Sequence, residues 1–353
     1  MEKRKTITVR GELDPKKLGF TLTHEHLSLD FNKFYTSPPT NAKPHLNSKI
    51  TLENLGYIRQ YPYSSIYNIN FQDSESHDAV LSDVLYYKCS GGSTIVENTS
   101  HGLNRNLKFL YDISEASGVH IIAGTGHYVH GVQSDSVIQM TIEEMSDLYT
   151  KEILFGVPVE GVGLIQCGII GEVGSSWPIT AFERKAIQAT AETQNILNCP
   201  VTFHPGRDKN APFEIIRLYL EAGGKPNKCV MSHLDRTLMH SEDLLEFAKL
   251  GTFCQFDLFG TECSYYQLNP SSYMQSDEQR LEQIQTLINS GYEKRILMSH
   301  DIHTKHRLVK YGGHGYSHIL NNILMRLISK GLDIQTIDTI TVGNPSEWLE
   351  TST

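Results

Sequence analysis

Residues 169–204 read IIGEVGSSWPITAFERKAIQATAETQNILNCPVTFH. The apolar run at 169–173 is short and β-branched, which suits a buried strand. After Pro178 comes Thr180-x-x-Glu183, the pattern of a capping box, and apolar positions then recur at roughly helical spacing up to Asn198. A second apolar run follows at 201–203. Strand, helix and strand in so few residues predict a βαβ unit with parallel strands. Each of its two runs also carries a polar residue at or beside its C-terminal end, Glu172 in the first and His204 after the second.

The same rhythm extends in both directions. Further candidate strands lie at 20–23, 93–98, 120–124, 229–232, 252–256 and 295–299, which with the first two makes eight. Helical patterns fall between them, at 104–117, 180–198, 211–222, 241–250 and 277–290, with another at 77–89. Eight alternations predict an α/β fold of the TIM-type (β/α)8 barrel, a single domain over residues 1–353. One segment breaks the pattern, an excursion from Asp30 to about Ser76 that contains Ser37-Pro38-Pro39-Thr40 and Tyr61-Pro62-Tyr63. A long loop after a barrel strand either covers the active site or decorates the surface, and the sequence leaves both open.

Composition narrows the class. Of 353 residues, 39% are hydrophobic and 20% charged, ordinary for a soluble globular enzyme. A formal net charge of -9 argues against nucleic acid or an anionic membrane as partner, since both need a basic face. The N-terminus, Met1-Glu2-Lys3-Arg4-Lys5-Thr6, is charged with no apolar stretch behind it, and no run is long enough to span a bilayer. None of the six cysteines forms a C-x-x-C pair. A reduced, cytoplasmic setting is the expectation.

Candidate ligands sit at strand ends. Thr23-His24-Glu25-His26 follows the first run, and residues two apart on a strand share a face, so His24 and His26 can chelate one metal. Alone, an H-x-H is more often accidental than functional. Repetition changes that weight: Glu172, His204, His233 and Asp301 each stand at the C-terminal end of a further run. Barrel enzymes keep their catalytic groups there, and a buried carboxylate is costly without a cation.

These stretches resemble the phosphotriesterase family of the amidohydrolase superfamily, its animal branch in particular. The resemblance is carried by residues 21–27 (TLTHEHL), 96–99 (VENT), 168–174 (GIIGEVG), 199–201 (CPV), 204–207 (HPGR), 231–237 (MSHLDRT), 257–262 (DLFGTE), 300–305 (HDIHTK) and 311–319 (YGGHGYSHI). It implies two divalent metal ions, the more buried held by His24, His26 and Asp301, the more exposed by His204 and His233. Glu172 stands where the bacterial members bridge the metals with a carboxylated lysine, and a glutamate offers the same single charge and two oxygens. The resemblance makes Asp301 the catalytic proton carrier. Nitrogen and oxygen ligands without thiolate suit zinc, and also manganese, cobalt or iron.

The animal branch implies an amidohydrolase acting on N-acetyltaurine and related N-acyl amino acids. An esterase, lactonase or phosphotriesterase on the same scaffold, or a silent metal-binding barrel, are the alternatives. A small anionic substrate needs a cation, for which Arg207 and then Arg236 are the candidates, each alternatively a structural salt bridge. Tyr128 either borders the pocket or packs. His303, Lys305 and Arg307 either extend a cationic rim or form a solvated loop. The oligomeric state stays open, a homodimer included.

Overall fold

The computed structural model describes residues 4–263 and 265–352. Eight parallel strands form one sheet: β1 (Thr21–Glu25), β2 (Thr94–Glu97), β3 (His120–Thr125), β4 (Ile169–Gly174), β5 (Val201–His204), β6 (Cys229–Met231), β7 (Phe253–Phe256) and β8 (Ile296–Met298). Each pairs with its sequence neighbour. The helices that return the chain include α1 (Ser74–Cys89), α2 (Leu107–Ser117), α3 (Ile142–Leu154), α4 (Ala181–Leu197), α5 (Ala211–Glu221), α6 (Ser241–Ala248), α7 (Asp277–Asn289) and α8 (Leu324–Ser329). The first and last strands meet at a seam. There Thr23 Oγ1 donates to the Met298 carbonyl (3.2 Å), His24 N–H to Ser299 Oγ (3.0 Å) and Asp301 N–H to the His24 carbonyl (3.1 Å). The sheet is thus a nearly closed barrel, as the eight candidate strands predict.

Local chemistry explains the elements. Thr180 and Glu183 cap α4 reciprocally, and Asn198 ends it in the left-handed region at φ 50°. The helix α3 is capped the same way by Thr141 and Glu144, a signal the sequence reading passes over. Also beyond that reading are a hairpin of Arg4–Thr8 and Gly11–Leu13, joined by Thr351–Ser352, and a second hairpin of Val157–Val159 and Gly163–Ile165. No helix among the described residues is long and apolar enough to cross a membrane.

The sheet separates two apolar layers. Ile95, Ile121, Ile170, Met231, Cys254 and Ile296 face outward into the main core beneath the helices. Their neighbours Val96, Ile122, Ile169, Val230, Phe253 and Leu297 form a second cluster with Leu18, Trp348 and Leu349, which closes the N-terminal end of the barrel. Toward the other end the interior turns polar, with Thr202, Ser232, Gln255 and Ser299 all fully buried.

The excursion after β1 ends sooner than its composition suggests, because Asp73 accepts from Ser76 N–H and starts α1 at Ser74. It is not mere decoration. Phe31, Arg59, Pro62 and Tyr63 line the cavity at the barrel mouth. The segment is tied down by Tyr63 N–H to Gln267 Oε1 (3.0 Å), Gln267 Nε2 to Ser64 Oγ (2.8 Å) and Lys305 N–H to the Asn68 carbonyl (2.8 Å).

Candidate metal centre

The barrel brings all six expected ligand residues together at its C-terminal mouth. His24 lies within β1, His26 just past it, Glu172 in β4, His204 at the end of β5, His233 just past β6 and Asp301 just past β8. All six are buried. Simple alternation does not aim them: the ladder shifts register between Leu22 and Glu25, and again between Ile170 and Val173. Irregularities of this kind re-aim side chains at barrel rims. His233 and Asp301 have φ of 57° and 51°, a region that side-chain-bearing residues rarely enter. Such conformations persist where neighbours over-determine them. For Asp301 the neighbour is Glu25, whose carboxylate accepts from Ser299 Oγ (2.8 Å), His300 N–H (2.9 Å) and Ile302 N–H (3.0 Å) and meets His300 Nδ1 at 2.7 Å.

The inward distances are short. Asp301 Oδ1 lies 3.2 Å from His26 Nε2 and 3.7 Å from His24 Nε2. Glu172 reaches across the centre, with Oε1 3.6 Å from His26 Nε2, and Oε2 3.6 Å from His24 Nε2, 3.0 Å from His204 Nδ1 and 3.7 Å from His233 Nε2. His204 Nδ1 and His233 Nε2 face each other at 2.9 Å. Two three-residue groups are compact enough to hold an ion, His24–His26–Asp301 and His24–Glu172–His233. The first is the set expected for the buried metal. The second draws His24 in beside Glu172 and His233, and His204 adjoins it, its Nδ1 meeting the same Glu172 oxygen and His233 Nε2.

Donor chemistry fits cations. A neutral imidazole has one N–H and one lone pair. His26 Nδ1 faces Thr99 Oγ1 (2.9 Å), whose hydroxyl donates to Glu97 Oε1 (2.5 Å). His233 Nδ1 faces Asp257 Oδ1 (2.7 Å), and His24 Nδ1 faces Asp257 Oδ2 (3.1 Å). With their protons held there, the Nε2 lone pairs of all three turn toward the Glu172 and Asp301 carboxylates. His24 Nε2 is buried and has no hydrogen-bond partner. Only positive charge between them reconciles such a set.

The electrostatics agree. Burial alone would lower the pKa of His24, yet the Glu172 and Asp257 carboxylates hold it well above its ordinary value. Burial would likewise raise Glu172, but His24 and His204 pull it well below the usual range. His204 differs from His24, since burial outweighs Glu172 there and holds it down to about 3.

Beside the centre opens a cavity of about 570 Å³ bounded by Phe31, Tyr63, Tyr128, Arg207, Arg236 and Tyr266 among others. Arg207 Nε donates to Tyr266 Oη (2.7 Å). Arg236 donates through Nη2 to the Pro205 carbonyl (3.1 Å), while its buried Nη1 has no partner. Burial and the neighbouring Arg207 both push Arg236 below the ordinary arginine range. Tyr128 both packs and borders the cavity, its hydroxyl 3.3 Å from His204 Nε2.

The residues after β8 part company with expectation. His303 lines the cavity, with Nδ1 3.2 Å from Asp301 Oδ2 and Nε2 2.8 Å from Tyr63 Oη. Lys305 and Arg307 make neither a free cationic rim nor a solvated loop, because both are buried and tied. Lys305 pairs with Asp73, and Arg307 donates to the carbonyls of Asp301 (2.7 Å) and Phe259 (2.9 Å). The supporting carboxylates Glu25, Glu97 and Asp257 escape the sequence reading. Glu97 and Asp257 stand at strand ends like the ligands, so the same criterion points to them.

Comparison with known proteins agrees with this geometry. The family model described as "Phosphotriesterase family" matches residues 4–349. The "Phosphotriesterase-related protein" of Aedes aegypti is 71% identical over 98% of this chain and 99% of its own length. That of Drosophila melanogaster is 54% identical over 97% of each. Among solved structures, a resiniferatoxin-binding protein from Rhodobacter sphaeroides superposes with TM-score 0.92 at 30% identity, covering 98% of this chain and 94% of that one. A phosphotriesterase homology protein from Escherichia coli, complexed with phosphate in its active site, shares the fold at TM-score 0.76 and 24% identity, over 96% and 100% of the two chains. Over essentially its whole length, then, the chain belongs to the phosphotriesterase family and carries the fold of that family's metal-dependent hydrolases.

Proposed function

We propose that the protein hydrolyses N-acetyltaurine and related N-acyl amino acids, using two divalent metal ions, zinc for preference. His24, His26 and Asp301 would hold one ion and His204 and His233 the other, with the Glu172 carboxylate available to both. Ions bound there would supply an activated water and polarise the scissile carbonyl. The observation that carries the substrate class is the pair Arg207 and Arg236, which border the cavity with no ion pair to any described carboxylate. Two unpaired guanidiniums in one pocket favour an anion, and their planar donor forks suit a carboxylate or sulfonate.

The chain's own residues then divide the work. Arg207, oriented by Tyr266, and Arg236 bind the acidic end of the substrate. Tyr128, Phe31 and Tyr63 wall the reacting end and exclude water. Asp301 accepts the proton of the attacking water and delivers it to the departing nitrogen, which leaves poorly unless protonated. His303, in contact with the second Asp301 oxygen, holds that carboxylate in place.

The test is a panel of N-acetylated amino acids and N-acetyltaurine beside lactones, aryl esters and aryl phosphotriesters. The reading expects kcat/KM to be highest on the anionic amides. Higher values on uncharged lactones or phosphotriesters would replace it with a lactonase or phosphotriesterase.

A further inference from the structure

We infer that Asp257 is a positioning residue that couples the two metal positions, because its single carboxylate sets the tautomer of one histidine from each. The inference rests on the two-metal reading above. β7 supplies none of the six candidate ligands, yet Asp257, just beyond its last residue, lies directly behind two of them. Oδ1 takes His233 Nδ1 at 2.7 Å and also accepts the His233 N–H at 3.0 Å. Oδ2 lies 3.1 Å from His24 Nδ1 and accepts from Gln255 Nε2 at 2.9 Å. The two imidazoles come from β1 and from the end of β6, with ring centroids 4.9 Å apart. Asp257 is fully buried, so no water competes for its oxygens.

His26 is held differently, by Thr99 alone, whose hydroxyl hands on to Glu97. His24 Nδ1 also has Gln255 Nε2 at 3.2 Å, whose two N–H groups are taken up by Asp257 Oδ2 and Ser232 Oγ, and the Ser232 hydroxyl at 3.1 Å. That hydroxyl is neutral and already meets Gln255 Nε2 (3.0 Å) and Thr202 Oγ1 (3.1 Å), so the charged carboxylate dominates.

Asparagine in place of Asp257 makes the consequence specific. A carboxamide has one acceptor oxygen and one donor nitrogen. Whichever way it turns, only one imidazole keeps its Nδ1–H partner. The other meets an N–H, must offer Nδ1 as a lone pair, and so carries its proton on Nε2, the atom that should face the metal. The imidazole that keeps its partner loses the charge of that hydrogen bond. Removing such supporting groups costs about 10–100-fold in metal affinity.

The experiment titrates zinc into metal-free wild type, Asp257→Asn, Thr99→Val and Ser232→Ala against a competing chelator, with circular dichroism of each metal-free protein to check folding. Both stepwise constants should weaken in Asp257→Asn, by about 10–100-fold each. Only one should weaken in Thr99→Val, and Ser232→Ala should stay closer to wild type than Asp257→Asn. Two unchanged constants in folded Asp257→Asn, or loss confined to one, would overturn the coupling, as would a larger loss in Ser232→Ala. A second readout needs no variant: in the zinc-loaded wild type with 15N-labelled histidine, His24 and His233 should both show Nδ1–H. A proton on Nε2 of either contradicts the inference even if Asp257→Asn does not fold. A wild type that binds fewer than two zinc ions defeats the two-metal reading itself, a different result from two ions bound with no effect of Asp257.

Discussion

The two ends of the barrel are made by the same eight strands and differ in what those strands send inward. At the N-terminal end Val96, Ile122, Ile169, Val230, Phe253 and Leu297 pack on Trp348 and Leu349, with the Arg295 guanidinium over the outer Phe253 ring at 4.8 Å. At the C-terminal end β1 and β4 to β8 bring in or lead directly into His24, Glu172, His204, His233, Asp257 and Asp301, all buried. The first end is what hydrophobic burial builds unaided. The second is a concentration of polar groups that burial opposes, and it stands because each group is held by another: Asp301 through Glu25, His26 through Thr99 and Glu97, His24 and His233 through Asp257. One end therefore carries stability, and the other spends interaction energy on chemistry.

Substitutions at each end should separate along that line. The largest effect belongs to Asp301→Asn. If Asp301 carries the proton, turnover of an N-acetyl amide falls about 10²–10⁴-fold. The loss is smaller on an activated aryl ester, whose leaving group needs no proton. Kinetics on both substrates, with metal content measured, check this, and equal losses at full occupancy would leave Asp301 a ligand or base only. At the closed end, Phe253→Ala should cost about 3–5 kcal/mol in denaturant unfolding while the folded fraction keeps wild-type zinc affinity. A change in zinc affinity there would erase the distinction between the ends.

Two smaller effects sharpen it. Arg207→Met should lower kcat/KM on an anionic N-acyl amino acid by about 10–100-fold, the scale of one charged hydrogen bond, and leave an uncharged aryl ester nearly unchanged. Asp83, on α1, is a buried carboxylate away from the centre, with Val309 N–H donating to it at 3.0 Å. Burial, only partly offset by that N–H, pushes its pKa up to about 6. The folded protein then holds this proton at pH values where the unfolded chain, with an ordinary aspartate near 4, has lost it. Asp83 thus costs stability as pH rises through that window, and the cost is complete above about pH 7. Asp83→Asn should raise stability at pH 8 by about 1–3 kcal/mol and change little at pH 4, read from unfolding curves at both pH values.

The barrel is legible in the sequence because each strand is a short apolar run beside a turn or a capped helix, and 169–204 shows the whole unit at once. Boundaries shift by a residue or two where the chain turns to tertiary work. Ser299 reads as strand but lies past β8, since it takes the His24 N–H at the seam. The hairpin of Val157–Val159 and Gly163–Ile165 is hidden by its brevity and by Pro158, which a strand tolerates only at an edge. The candidate ligands are legible because histidines and carboxylates recur at strand ends. The partners of those residues are not, since whether Asp257 serves His24, His233 or neither depends on distances between strands. The fate of Lys305 and Arg307 depends on carbonyls and a carboxylate that only the folded chain brings near.

All of these roles require a two-metal centre at the mouth of the barrel. Its most direct test is elemental analysis of the purified protein joined to an activity assay before and after exhaustive chelation. Two divalent ions per chain, activity abolished by their removal and restored by zinc or manganese without any need for bicarbonate, is the expected result. Full hydrolytic activity in a verified metal-free preparation would contradict the account.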